Sequence, residues 1–107
     1  MVVILGQIDI HPDDVERAKV AAAAVTKATV EEDGCLHYAY SVDLLDPNRL
    51  QLGECWRDQA ALDAHFMASH IQSFRHAMGQ LRIVKRAVKR YEVSSVGDLN
   101  ISPSPRS

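Results

Sequence analysis

The chain has 107 residues, of which 47% are hydrophobic, and a formal net charge of −2 at neutral pH. This length suits one domain with a core of modest size. The small net charge gives no electrostatic reason to expect a nucleic-acid partner. No apolar run approaches the roughly eighteen residues that cross a membrane, so we expect no membrane partner either.

The two cysteines, Cys35 and Cys55, are too few for a disulfide framework or a zinc site. We expect both thiols to be reduced and unbridged. A hairpin turn at 46–49 would place Cys55 opposite Tyr40, and Cys35 would then lie beyond the Cα separation of about 7 Å that a disulfide allows. Because the N-terminus also lacks a signal-peptide pattern, we expect a reducing cytoplasmic location.

The first third of the chain predicts a strand followed by a helix. Val2 to Ile10 is rich in β-branched residues, and its first half is apolar throughout, which indicates cover on both faces of a sheet. Pro12 suits the first turn of a helix, and Gly34 suits its end. The apolar stripe that predicts the packing of this helix on the sheet consists of Val15, Ala18, Ala22, Val25 and Thr29.

Two strands and two short helices follow. Cys35 to Leu45 predicts the second strand, the turn residues at 46–49 predict a hairpin, and alternation from Leu50 to Trp56 predicts the third strand. Asp58 offers an N-cap oxygen for the second helix. Ser69, with Gln72 three residues later, forms a capping-box pattern that opens a third helix at His70. A bent helical segment over a strand leaves a hollow, where ligands usually bind.

The last part of the chain predicts a helix end near Arg82 and a final strand from Lys85 to Val93, whose basic residues form a solvated face. Residues 94–107 form a Ser- and Pro-rich tail. The order of elements predicts a ferredoxin-like βαββαβ domain of the α+β class over residues 1–93. Its sheet would have one uncovered face, and an apolar face there would need another subunit.

Several short motifs and single residues occur in a fixed order along the chain. They are Glu32-Asp33-Gly34-Cys35, Tyr38, Asp43, Glu54-Cys55-Trp56, Leu62-Asp63-Ala64-His65, Ser69-His70 and Phe74. Together they resemble the antibiotic biosynthesis monooxygenase (ABM) family, and within it the bacterial quinol monooxygenases, from about residue 2 to residue 93. The resemblance implies a homodimeric α+β barrel in which two sheets pack face to face. It also implies a cavity between the sheet and helices of each subunit, and oxygenation by molecular oxygen without metal or flavin.

The same family contains haem-degrading enzymes, isomerases of small signalling molecules, and members with no known activity. The haem degraders use an Asn on the first strand, whereas this strand carries Gln7 and Asp9 and no Asn precedes His11. His76 falls near the position of the haem-ligating His, but helical spacing takes it away from the apolar face. These differences argue against haem degradation.

Cofactor-free oxygenation needs a base within hydrogen-bond reach of the substrate, inside a dry pocket. His70 is the favoured base, because the dipole at a helix start keeps its ring neutral. Alternatively, His70 has a structural role and only forms a hydrogen bond at the junction between the two helices. His65 either lines the hollow or covers it from outside, half wet. His37 is interpreted as an exposed strand residue.

Glu54 is a further candidate base, but we favour an ion pair between it and a basic residue of a neighbouring strand. The candidate partners are Arg57, Arg86 and Lys89. The substrate-binding candidates are the aromatic residues Trp56, Tyr38, Phe66 and Phe74. Trp56 offers a flat wall for a planar substrate, although a core role is more usual, and Tyr38 could instead pack in the dimer barrel.

Three functions therefore remain open. The first is a cofactor-independent monooxygenase acting on a small aromatic, quinol-like substrate. The second is a non-catalytic small-molecule-binding or stress-response dimer, and the third is an isomerase of a small metabolite. We expect no metal site, because His65 and His70 are five residues apart across a helix break, which is not a metal-ligand spacing.

Overall fold

The computed structural model describes residues 1–100. The elements in chain order are β1 (Val2–Ile10), α1 (Val15–Thr29), β2 (Cys35–Asp43), β3 (Asp46–Trp56), α2 (Gln59–Met67), α3 (Ser69–Gly79) and β4 (Ile83–Glu92). A 3₁₀ turn at Pro12–Asp14 precedes α1. The strands form one antiparallel sheet in the order β2-β3-β1-β4. This architecture confirms the predicted ferredoxin-like α+β fold, with two helices between β3 and β4.

All three helices pack on one face of the sheet. Alternation along β3 turns Leu50, Leu52, Glu54 and Trp56 towards the helices, where all four are buried. The opposite face of the sheet is uncovered in the single chain, and Leu5 on that face is 51% exposed. The apolar stripe of α1 is buried as the sequence predicts. The core therefore lies entirely between the sheet and its helices.

Asp14 ties the start of α1 to the start of β4. Its buried carboxylate accepts hydrogen bonds from the Arg82 backbone N–H at 2.8 Å and from the Arg82 Nε at 3.0 Å. These bonds from Arg82 hold the pKa of Asp14 well below its usual range. The sequence predicts that α3 extends to about Arg82, but the helix ends at Gly79. Arg82 is not helical because it takes part in the junction with Asp14.

The predicted hairpin turn at 46–49 is wrong, since these residues are already part of β3. The turn lies at Leu44 and Leu45, where Asp43 Oδ1 accepts the Leu45 N–H at 2.8 Å. Val42 pairs with Leu50 but Asp43 pairs with Asp46, so 47–49 bulge from the β2–β3 ladder. An Asp side chain that accepts a hydrogen bond from the backbone two residues later stabilises a turn. Here Asp43 sets the position of the turn, although Pro47 is also a common turn residue.

The shifted turn also corrects the predicted neighbours of the cysteines. Cys55 pairs with His37 and not with Tyr40, and Cys35 lies opposite Trp56, one position away from Cys55. The predicted wide separation between Cys35 and Cys55 is therefore wrong, yet both thiols are free as expected. Cys35 packs against the core on the helix side, whereas Cys55 alternates with buried Trp56 and lies on the other face of β3.

The predicted capping box at the start of α3 is also wrong. Ser69 is the first residue of the helix, the N-cap is Ala68, and the described residues include no side-chain hydrogen bond that caps this end. The Gln72 Nε2 instead donates to the carbonyl of Phe66 at 3.2 Å. The junction between α2 and α3 is therefore closed by a side chain that reaches back to the preceding helix.

Gly34 is the one position in the described chain with a positive φ, at 83°. A Cβ there would lie 2.5 Å from the Ala61 Cβ. We expect Gly34→Ala to lower the free energy of unfolding by at least about 1–2 kcal/mol, the cost of left-handed backbone for a residue with a Cβ, before the clash is counted. Urea denaturation measures this change.

Gly79→Ala is the matched control, because nothing lies within 4 Å of the added Cβ and the residue ends a helix at negative φ. It should leave stability unchanged or raise it slightly. Equal destabilisation by both substitutions would contradict the conformational argument.

No helix of the described residues is long and apolar enough to cross a membrane. Residues 94–100 contain no helix or strand. The rest of the predicted tail, 101–107, lies outside the described residues.

Candidate active site

A cavity of about 220 Å³ lies between the sheet and helices α2 and α3. We call it the inner cavity. Most of its wall is apolar or aromatic, as is usual for a small-molecule site, and its polar part includes a carboxyl group, an imidazole and four basic side chains. Five of the predicted site residues line it, namely Tyr38, Glu54, His65, Phe66 and Phe74. The structure thus brings together most of the residues that the sequence singled out.

The other two predicted site residues, Trp56 and His70, do not line the inner cavity. Trp56 is 0% exposed and belongs to the core cluster beneath α2. His70 borders a groove on the outer side, between α1 and α3. A stacking wall at Trp56 therefore has no structural support, and His70 lies on the opposite side of the site from the cavity.

His65 is the histidine that faces the cavity, and α2 holds it there. Asp58 caps this helix, its Oδ1 accepting the Ala61 N–H at 2.8 Å. The His65 side chain is 1% exposed and packs against the Trp56 ring, with centroids 4.8 Å apart. The alternative prediction, in which a half-exposed His65 ring covers the hollow from outside, is therefore wrong. Its place within an aromatic cluster fixes the ring.

Glu32 contacts His65 on the side away from the cavity, and the sequence pattern did not indicate a role for it. Its Oε2 lies 2.6 Å from the His65 Nδ1 and also 2.6 Å from the His70 Nε2. An ionised carboxylate only accepts hydrogen bonds, so both contacts require N–H donors. This arrangement places the hydrogen of neutral His65 on Nδ1 and leaves its Nε2 available to a ligand. The only sequence signal for Glu32 was its position in the motif that ends at Cys35.

Glu32, His65 and His70 each offer one ligand atom, and these atoms all lie within 4.8 Å of one another. Such a set could hold a metal ion. The spacing of His65 and His70 did not indicate a metal-ligand set, but the break between α2 and α3 turns both rings towards Glu32. In this structure both ring nitrogens lie at hydrogen-bond distance from the same carboxylate oxygen.

Glu54 is a buried carboxyl group in the cavity wall. It is 8% exposed, and its Oε1 accepts the Trp56 Nε1–H at 2.8 Å. Within residues 1–100 it forms no ion pair, so the expected pairing with a base on a neighbouring strand is wrong. Burial raises the pKa of Glu54, although the Trp56 hydrogen bond and the nearby His65 oppose the rise.

Two tyrosines also contribute hydroxyl groups to the wall. Tyr38 is 5% exposed and packs edge-on against Tyr40, with ring centroids 5.9 Å apart. Burial raises the pKa of Tyr38 far above its usual range and raises that of Tyr40 to about 12. Both hydroxyls are therefore protonated at neutral pH and can act as neutral hydrogen-bond donors to a ligand.

The raised pKa of Glu54 gives a testable pH dependence. The folded state holds this proton more tightly than the unfolded chain, so this group lowers stability as pH rises above the ordinary value of 4.5. We expect Glu54→Gln to raise the free energy of unfolding at pH 8 and to change it little at pH 4. The amide oxygen can still accept the Trp56 N–H. Chemical denaturation at both pH values measures the difference.

Glu31→Gln, at an exposed position one residue before Glu32, is the control and should behave like the natural protein at both pH values. If Glu54→Gln destabilised the protein more at pH 8 than at pH 4, the carboxylate would be favourably bound and the desolvation argument would be wrong.

The fold and the cavity define a class of small α+β proteins that enclose a ligand site between a four-stranded sheet and its helices. The chain belongs to the antibiotic biosynthesis monooxygenase family, whose model matches residues 1–77. This membership supports a general monooxygenase-like function.

Relatives of known structure have the same fold. A proposed antibiotic biosynthesis monooxygenase from Deinococcus radiodurans superposes with a TM-score of 0.85 at 23% identity, covering 94% of this chain and 99% of that one. Rv0793 from Mycobacterium tuberculosis has a TM-score of 0.82 at 26% identity, covering 91% of this chain and 98% of its own. An uncharacterised Synechocystis protein is 26% identical over 98 residues, which span 92% of this chain and 67% of that protein.

Proposed function

We propose that this protein is a cofactor-independent monooxygenase that acts on a small aromatic, quinol-like substrate, with His65 as the base. The observation that carries the proposal is the His65 ring in the wall of a largely apolar cavity, with its Nδ1 held by Glu32 at 2.6 Å. A carboxylate behind an imidazole fixes its tautomer and stabilises the imidazolium that forms when the other nitrogen takes a proton. Proton abstraction from a bound hydroxyl is therefore the chemistry that this pair supports.

In the proposed reaction, the His65 Nε2 accepts the proton of a substrate hydroxyl, and the resulting phenolate gives one electron to molecular oxygen. The substrate radical and superoxide then combine to form a carbon–oxygen bond and a peroxide. Cleavage of the O–O bond and loss of a ring hydrogen leave one oxygen atom on the quinone product. The other leaves as water, with the proton returned by His65.

The cavity wall supports this chemistry in two ways. Phe66, Phe74 and the apolar residues around them reduce the contact of a bound substrate with water, which favours recombination of a radical pair over side reactions. The Tyr38 and Tyr40 hydroxyls and the Glu54 carboxyl offer hydrogen bonds that could orient the hydroxyls of a quinol. The cavity supplies a base, polar anchors and an apolar surface for the ring from this chain's own residues.

Oxygen uptake with a panel of quinols, using protein treated with chelator, tests the proposal. We expect uptake that saturates with substrate and yields a quinone with one added oxygen atom, labelled from ¹⁸O₂. If every quinol bound without turnover, the protein would be a non-catalytic binder of small molecules. If turnover required added metal, the cofactor-free mechanism would be wrong.

An isomerase is the second candidate, and one observation favours it. The cavity wall contains both a base, His65, and a carboxyl group with a raised pKa, Glu54, which can remain protonated and donate. A base and an acid in one pocket are what a proton shift between two carbon or oxygen atoms requires. Conversion of a hydroxyketone under nitrogen, without oxygen uptake, would favour this function.

We also propose that the protein is a homodimer formed through the uncovered sheet face, and we expect an interface above about 2,000 Å² in total. Leu5 and Tyr91, which are 51% and 45% exposed, support this, because a second subunit would cover them on that face.

Leu5→Glu should shift the mass measured by light scattering from that of a dimer to that of a monomer. Val20→Glu, at a 71% exposed position on α1, should not change it. A natural protein that is a folded monomer at micromolar concentration would refute the proposal.

A further inference from the structure

The inner cavity does not end at the aromatic wall. A second cavity of about 380 Å³ adjoins it between the sheet and α3. Both cavities are lined by the same five residues, Tyr40, Leu52, Phe74, Arg75 and Arg86. The two volumes therefore form one elongated cleft, and the two arginines belong to its middle section.

These two arginines differ from the others in the described chain. Seven arginines lie within residues 1–100. Five of them are paired with carboxylates, namely Arg17, Arg49, Arg57, Arg82 and Arg90. The two that lack a carboxylate partner among these residues are Arg75 and Arg86. Arg90 also lines the inner cavity but is paired with Glu92, so Arg75 and Arg86 are the cleft arginines whose charges no carboxylate of residues 1–100 offsets.

The two guanidinium groups come from opposite sides of the cleft, Arg75 from α3 and Arg86 from β4. Arg75 is held over the Phe66 ring, with its Cζ 5.3 Å from the ring centroid. Arg86 lies near enough to the Tyr40 hydroxyl that its charge partly offsets the rise in the pKa of Tyr40 caused by burial. Both positive charges therefore lie beside the aromatic part of the cavity.

Two like charges beside one cleft repel each other, and an anion between them removes this cost. Guanidinium groups match the planar, two-oxygen geometry of carboxylates and the oxygens of sulfonates and phosphates. The remaining acid in the cavity wall, Glu54, is engaged by the Trp56 N–H. The cleft therefore offers a site for an oxyanion next to a site for an aromatic ring.

We infer that the ligand of this cleft is an aromatic compound with an oxyanion substituent, which Arg75 and Arg86 bind while the ring lies against Phe74 and His65. That this ligand is also a substrate rests on the proposed function, whereas the prediction that it binds is independent of that function. The substituent fixes which end of the molecule reaches His65, because the arginines lie where the two cavities meet, whereas His65 lines only the inner cavity.

The test compares 2,5-dihydroxyphenylacetate with its neutral amide, which has the same ring and nearly the same size. Titration calorimetry under nitrogen measures the affinity of each without turnover. We expect the acid to bind at least about tenfold more tightly than the amide, as for hydrogen bonds to a charged group. The sulfonate and phosphate-ester analogues identify which oxyanion fits best.

Arg75→Gln and Arg86→Gln should each remove most of this preference without changing the affinity for the amide. Lys85→Gln is the matched control. Lys85 is exposed on the same strand as Arg86, and alternation turns it to the other face of the sheet. Melting curves verify that each exposed substitution leaves the protein folded.

Equal affinities for acid and amide, or no binding of any of the three anions, would overturn the inference. Oxygen uptake distinguishes this from failure of the proposed function. If the amide and the acid turned over equally and the arginine variants changed neither rate, the monooxygenase would stand and the oxyanion site would not. If the acid bound through both arginines but nothing turned over, the oxyanion site would stand alone.

Discussion

Replacing His65 with alanine is expected to lower turnover of a quinol by about a hundred-fold to ten-thousand-fold, the usual cost of losing a general base. The ring lines the cavity and is oriented by Glu32, so no other group of the wall combines a free ring nitrogen with a fixed orientation. Because His65 is buried, the variant should also lose some stability. Rates must therefore be normalised to the folded fraction measured by circular dichroism.

Two other histidine variants decide how this result is interpreted. His76→Ala removes an exposed ring from α3, away from the sheet, and should leave turnover unchanged. His70→Ala removes one of the two donors to Glu32 but leaves the His65 Nε2 in place, so it should cost much less than His65→Ala. If instead His70→Ala abolished turnover and folded His65→Ala retained it, His70 would be the base, as the sequence first indicated.

Trp56→Ala is expected to lower the free energy of unfolding by about 3–5 kcal/mol, the range for truncating a large aromatic residue in a packed core. Trp56 is 0% exposed and packs beside Tyr38 and His65. Since a domain of this size is stable by only about 5–15 kcal/mol, the variant should be close to unfolding at 37 °C. Urea denaturation at 15 °C measures the loss.

Trp56→Phe separates the packing contribution from the hydrogen bond to Glu54. It keeps most of the ring but removes the N–H, and a buried acceptor without a partner costs about 1–3 kcal/mol. Met67→Ala, at an 80% exposed position, should change stability by less than about 0.5 kcal/mol. A loss for Trp56→Ala no larger than that for Met67→Ala would show that the cluster around His65 does not depend on Trp56.

Local patterns in the sequence were sufficient for the architecture. The stripe from Val15 to Thr29 predicted the buried face of α1, and alternation from Leu50 to Trp56 predicted which side chains of β3 face the helices. Asp58 caps α2 as expected. These features depend on residues within one or two turns of each other, so periodicity and capping chemistry are enough to predict them.

The site depended on contacts that no local pattern encodes. Glu32 contacts His65, which is 33 positions later in the chain. The pairing of β2 with β3, which places Cys35 opposite Trp56, depends on a bulge at 47–49. The sequence could indicate that His65, His70 and Glu54 were candidates, but not which ring would line the cavity. Only the packing of α2 and α3 against the sheet decided that, because it turns His65 inwards and His70 outwards around one shared carboxylate.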